Sequence, residues 1–236
     1  KLEISNLLLT KGFSHTTVGG SAVLNYGTFI ASNSDISGNL GYSDGAVLNG
    51  KYKREGQHEG GPIFIATDVT FHQNRARFGS AVCNWGTFSA VRCEFSEGYS
   101  QSGGAIRNMG TFTAKNCKFK KNRALSGSGG AVDNYYSGTM TAEDCEFTEN
   151  EAVDDSGGYG TNGGAVNNGK GCTLAANNCK FTANKVPYDW EDPDHEDGGG
   201  GRGRPFHVAP GGAHRPRAAA RAAAVVPGPG GGRDRR

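Results

Sequence analysis

The stretch GGAIRNMGTFTAKNCKFKKN, residues 103–122, is the clearest copy of a pattern that recurs along the chain. Its apolar residues alternate with period two. Ile106 pairs with Asn108, Phe112 with Ala114 and Cys117 with Phe119, so the stretch reads as short strands and not as helix. Gly and Asn punctuate the strands, as residues that turn the backbone sharply do. Anchored on the alanine after the glycines, copies stand at Ala22, Ala46, Ala81, Ala105, Ala131 and Ala165, spaced by 24, 35, 24, 26 and 34 residues. The longer spacings carry polar insertions at 51–61 and 151–162.

The same residue types recur in the same order and direction, which argues for units stacked in parallel and against antiparallel hairpins. The expected fold is all-β: a single-stranded right-handed parallel β-helix of about six coils, each of three short strands. Residues 1–184 are expected to form it, with a first coil that begins partway through. No unit can bury its apolar face alone, so stability must come from stacking.

Outward positions carry a separate signal. The residue between Cys and Phe reads Glu94, Lys118, Glu146 and Lys180, alternating in sign. Glu97, Lys121 and Glu149 alternate too, and Arg107 falls opposite Asp133 as Lys115 does opposite Glu143. Stacked in register, such side chains sit about 4.8 Å apart, where like charges repel.

Columns of identical residues follow. Cys93, Cys117, Cys145 and Cys179 form one, with Leu7, Ser34 and Val69 at earlier levels. Four thiols in a straight row cannot surround a tetrahedral ion, and their parallel side chains suit a disulfide poorly. They read as a buried structural ladder. Cys83 and Cys172 stand outside it without an evident partner. Phe95, Phe119, Phe147 and Phe181 form a second column. Asn84, Asn108, Asn134 and Asn168, with Asn25 and Asn49, form a third, and Asn39, Asn74, Asn122, Asn150 and Asn184 a fourth. These asparagines read as corner ladders whose residues tolerate a left-handed backbone.

Candidates for chemistry are sparse. Asp68, Asp144, Asp154 and Asp155 are the acids to weigh, with Arg92 and Arg107 on outer faces. They make no stacked trio of acids, and the balance is against catalysis. The six histidines are scattered, with no metal-ligand spacing. No resident cofactor is expected, although Asp154 and Asp155 in a Gly-rich loop could hold calcium. Tyr99, Tyr135, Tyr136 and Tyr159 lie in or beside loops, where aromatic rings suit sugar or protein contact.

The net charge of +2 conceals unlike segments. Residues 1–184 balance, 185–197 are acidic, and 198–236 carry eight Arg against Asp234 alone. The last part is dominated by Gly, Ala, Pro and Arg and reads as an acidic linker followed by a disordered basic tail. Its single GRGR does not amount to a nucleic-acid-binding signal. No apolar run is long enough for a transmembrane helix.

Together, GGA[ILV] and F-x-x-N, seen at Gly103–Ile106, Gly129–Val132 and Gly163–Val166 and at Phe71–Asn74, Phe119–Asn122, Phe147–Asn150 and Phe181–Asn184, resemble the repeats of chlamydial-type polymorphic outer-membrane proteins. More broadly, residues 1–184 resemble the pectin-lyase-like right-handed β-helix superfamily. The resemblance implies an extracellular or cell-surface, adhesin-like, non-catalytic protein that presents loops to a carbohydrate or protein ligand. The alternative it implies is a polysaccharide lyase or hydrolase, or a degenerate relative. The family's leader and C-terminal membrane barrel have no counterpart in these residues, and no catalytic residue carries over. The incomplete first coil and uncapped last coil predict end-to-end self-association.

Overall fold

The computed structural model describes residues 1–16, 19–50, 61–125, 127–153 and 162–187, which all fall within one compact unit, Lys1–Glu191. Among them every element is a strand, and no helix is long and apolar enough to cross a membrane.

Each repeat contributes the same strands, best seen around residues 106–124. Ile106–Asn108 (IRN) leads to Thr111–Lys115 (TFTAK), then Lys118–Lys120 (KFK), then Arg123–Ala124 (RA). Every strand pairs in parallel with its equivalent one repeat away, in register: Phe112 stands between Phe88 and Met140, Phe119 between Phe95 and Phe147, and Asn108 between Asn84 and Asn134. The TFTAK and KFK columns belong to one 12-stranded sheet, and the IRN column is a six-stranded sheet. The two-residue RA column is a strand that sequence reading missed. It lies between F-x-x-N and GGA, where two residues give no visible period, so the levels from Val82 to Ala152 have four strand segments and not three, while at earlier levels the TFTAK and KFK columns run together as the ten-residue strands Thr28–Ser37 and Ile63–His72.

Left-handed backbone turns the corners. Between the TFTAK and KFK columns the corner residue is Asn6, Asn33, Asp68, Arg92, Asn116, Asp144 or Asn178, with φ from 46° to 55°. At the next corner Gln73, Glu97, Lys121 and Glu149 have φ of 52–54°. In GGA, the first glycine supplies the positive φ, 65° at Gly103 and 76° at Gly129. The ladder asparagines expected in this conformation are absent from it. Their role is hydrogen bonding: each amide Nδ2 donates to the Oδ1 one level on, from Asn25 through Asn49, Asn84, Asn108 and Asn134 to Asn168, at 2.7–2.8 Å.

The interior is a set of stacks. Phe71, Phe95, Phe119, Phe147 and Phe181 lie nearly parallel, with centroids 4.6–4.9 Å apart. Phe29, Phe64, Phe88 and Phe112 form a second stack, which meets the first edge-on. At the last level Leu174 and Phe181 are exposed, and at the first so are Leu2, Leu7 and Phe13.

Candidate functional site

The ladders leave one face where the repeat is broken. The middle residue of the IRN strand points away from the interior and reads Leu24, Leu48, Cys83, Arg107, Asp133 and Asn167 in register. Outward residues of a stacked sheet should meet water, yet Leu48 and Cys83 are buried and so is Asp133. The bridged column Asp44, Phe78 and Ser102 lies against this face, where Asp44 contacts Cys83, Phe78 contacts Arg107 and Ser102 contacts Asp133. From the other side Tyr135 reaches over. It lies in the turn column after the asparagines, where Trp85, Met109 and Tyr135 each donate a backbone N–H to the asparagine one level back.

Arg107 sits in the middle. Its guanidinium carbon lies 4.2 Å from the Phe78 ring centroid and 4.8 Å from that of Tyr135, so the cation is held between two aromatic rings. Its Nε is buried and 3.9 Å from Asp133 Oδ2, too far for a hydrogen bond. Asp133 accepts from the Ser102 hydroxyl at 2.6 Å and from Asn167 Nδ2 at 2.8 Å, which ties three levels together. On the other side Asp44 accepts from the Gly19 N–H and faces Cys83. Asp44 and Asp133 are the buried carboxylates among the described residues, and Arg107 acts electrostatically on Asp44 as well.

Burial pushes the Asp44 carboxyl above its ordinary value, against the Gly19 and Cys83 contacts and the Arg107 charge, which pull it down. Burial, with Asp44 beside it, pushes the Cys83 thiol well up, so Cys83 is no ready nucleophile. The sign of the pH effect follows. With a raised folded pKa, the folded chain holds more protons above pH 3.8, so Asp44 costs stability as pH rises through that window. Replacing Asp44 by asparagine should therefore gain stability relative to the parent between pH 4 and 7. Denaturant unfolding at several pH values reads this, and an Asp44→Asn variant that loses ground as pH rises would refute it.

The candidates from sequence fall elsewhere or at the rim. Asp68 is a corner residue held bidentately by Arg92 at 2.7 Å, and that contact lowers its pKa. Asp144 is the equivalent corner three levels on and accepts from Asn178. Neither adjoins the covered face. Arg107 is not the solvated outer base expected of it, because Phe78 and Tyr135 cover it. Tyr99 stands in the RA column, under the Arg75 guanidinium at 4.7 Å. Tyr135 and Tyr136 do meet at the covered face: Tyr136 lies 6.4 Å edge-on from Trp85 and 6.3 Å from Tyr135, and both tyrosines are exposed. Asp154, Asp155 and Tyr159 lie outside the described residues, as do 51–60 and 188–236. Among the described residues no three or more His, Cys, Asp or Glu side chains are placed to hold one metal ion.

Sequence reasoning missed Asp44, Phe78 and Trp85. One signal was available: Leu48 and Cys83 stand at outward positions, where exposed apolar residues would be costly, so something had to cover them.

Set beside protein-family models, curated proteins and solved structures, the chain matches none of them.

Proposed function

We infer that the chain is a single-stranded right-handed parallel β-helix that works as a non-catalytic, secreted or cell-surface binding protein, with a carbohydrate as the ligand its chemistry suits best. Support for the architecture is the unbroken parallel register of equivalent strands over successive repeats. Support for binding is the aromatic cluster of Trp85, Tyr135 and Tyr136 at the covered face, backed by Arg107. Flat, rigid rings with a polar edge take the apolar face of a sugar, and nearby charges and amides take its hydroxyls. Nearly every other position in the repeat turns a corner, fills the interior or pairs with a neighbouring level.

A glycan-array screen of the full chain, followed by titration of any hit, tests this reading. Tyr136 is 57% exposed, so Tyr136→Ala should leave the fold intact, losing only its ring contacts with Trp85 and Tyr135. It should weaken binding at least about tenfold, the loss of about 1.4 kcal/mol of ring contact. Failure to bind any glycan, or unchanged affinity in that variant, overturns it.

The second reading, a polysaccharide lyase or hydrolase, rests on Asp44 and Asp133 flanking Arg107. A pair of acids beside a base is what such chemistry uses. Both acids are covered here, and Asp133 is already satisfied by two donors, which favours binding over turnover. Cleavage of an acidic polymer, lost on Asp44→Asn, would reverse that preference.

A further inference from the structure

The cysteine column has a geometry that neither a disulfide nor a zinc site uses. Cys93, Cys117, Cys145 and Cys179 precede residues paired in strict register, Glu94, Lys118, Glu146 and Lys180. Their sulfurs are held alike. Each thiol donates to the carbonyl two residues back, that of Val91, Lys115, Glu143 or Asn177, at 3.2–3.4 Å. The first three also donate to the alanine carbonyl of the preceding level, that of Ala66, Ala90 or Ala114, at 3.4–3.5 Å.

Sulfurs held this uniformly are expected to repeat at close to the strand spacing, about 4.7–4.9 Å. A disulfide needs about 2.0 Å between sulfurs, which would pull two levels together. Tetrahedral zinc needs four ligands around a point, and a straight column offers two. Two zinc–thiolate bonds of about 2.3 Å laid end to end would span about 4.6 Å, and the bonds of a two-coordinate ion are shorter, so the sulfurs would close by roughly half an ångström from the strand spacing of about 4.7–4.9 Å. An ion midway between stacked sulfurs would be coordinated linearly, with the small closure taken up by side-chain rotation. Soft cations with a filled d shell accept two thiolates in that arrangement, and Cu(I) is the biological one that thiolates select.

Charge decides which pair. Binding breaks two S–H bonds and makes two S–Cu bonds: two thiols and one Cu(I) give a bis-thiolate complex of charge −1 and release two protons to solvent. No electron moves. Between Cys93 and Cys117, both buried, that charge would be desolvated. Cys179 is half-buried, in the last described level beside exposed Phe181, so water screens the charge and the ion has a route in.

We propose that Cys145 and Cys179 form a linear two-sulfur site for Cu(I). The site is independent of the covered face and of any glycan bound there.

The test is an anaerobic titration of the full chain with Cu(I) against about millimolar glutathione, which strips ions from single thiols. One ion per chain should be retained, with a thiolate-to-metal absorption band and two sulfurs by X-ray absorption. Cys145→Ser and Cys179→Ser should each weaken binding more than about 100-fold, beyond what an outer-shell partner carries. Cys172→Ser, off the column, should leave it unchanged. Serine fits the column, since Ser34 occupies it and donates to Ser32 O at 2.7 Å, and Val69 makes valine the second choice should a serine variant not fold. No retained ion, three or more sulfurs around it, or full retention by Cys179→Ser each overturns the proposal.

Discussion

Replacing Asn108 by alanine should cost at least about 3 kcal/mol, more than the side chain's size suggests. Asn108 is fully buried, and its amide is used in every direction. Nδ2 donates to Gly110 O at 3.1 Å, Asn134 Oδ1 at 2.8 Å and Thr139 O at 3.1 Å. Oδ1 accepts from Asn84 Nδ2 at 2.7 Å and from the Gly110 N–H at 3.3 Å. Alanine strands partners on three levels, and each buried polar group left without a partner costs about 1–3 kcal/mol. Aspartate separates this cause from lost volume. It nearly matches asparagine in shape but cannot donate when ionised, and it would face Asn134 Oδ1 and two carbonyls. Asn108→Asp should therefore be at least as damaging at pH 7. A urea unfolding curve for Asn108→Asp within about 1 kcal/mol of the parent would show that the ladder is not the source of stability.

The second large effect lies in the phenylalanine stack. Phe119 is fully buried between Phe95 at 4.9 Å and Phe147 at 4.6 Å, and it meets Phe112 edge-on at 6.5 Å. Phe119→Ala should cost about 3–5 kcal/mol, the usual range for a core phenylalanine emptied without collapse. Collapse is hindered here because the hydrogen-bonded register fixes the levels on either side. Phe181 is an internal control. It ends the same stack but is 51% exposed, with one ring neighbour at 4.7 Å. Phe181→Ala should cost roughly half as much or less, since area already in water is not lost again. Equal losses at the two positions, read from the same denaturation curves, would mean that stacking contributes nothing beyond local contact.

Much of this arrangement is legible in the sequence because stacking in register puts like on like. Position in the repeat is then position in space. The partners of Asn108, Phe119 and Cys117 can be named by counting, and the alternation Glu94, Lys118, Glu146, Lys180 marks the register from the solvent side. Backbone conformation was less legible. Six of the seven corners between the TFTAK and KFK columns are Asn or Asp, with Arg92 the exception, so the residue types that accept a left-handed backbone do mark them, but at positions other than the ladder asparagines to which that role was assigned. Two of the acids weighed for chemistry are there because a corner has to be turned. The covered face was least legible. Its contacts join Asp44 to Cys83, Phe78 to Arg107 and Ser102 to Asp133, residues at different places in successive repeats. Counting along a repeat cannot pair them, because the loops that carry them are where the repeat departs from itself.

The alternation of charge has a consequence for how such a chain can change length. The interior is indifferent to the number of levels, since a phenylalanine lands on a phenylalanine whichever repeat is removed. The outside is not. Losing the level of Lys118 would set Glu94 upon Glu146 and Glu97 upon Glu149, two like-charge contacts where there had been attraction. Losing the levels of Lys118 and Glu146 together would bring Glu94 onto Lys180. Along this part of the chain repeats can be gained or lost in pairs at little electrostatic cost, while odd changes are penalised. The surface thus carries a parity rule that the core does not.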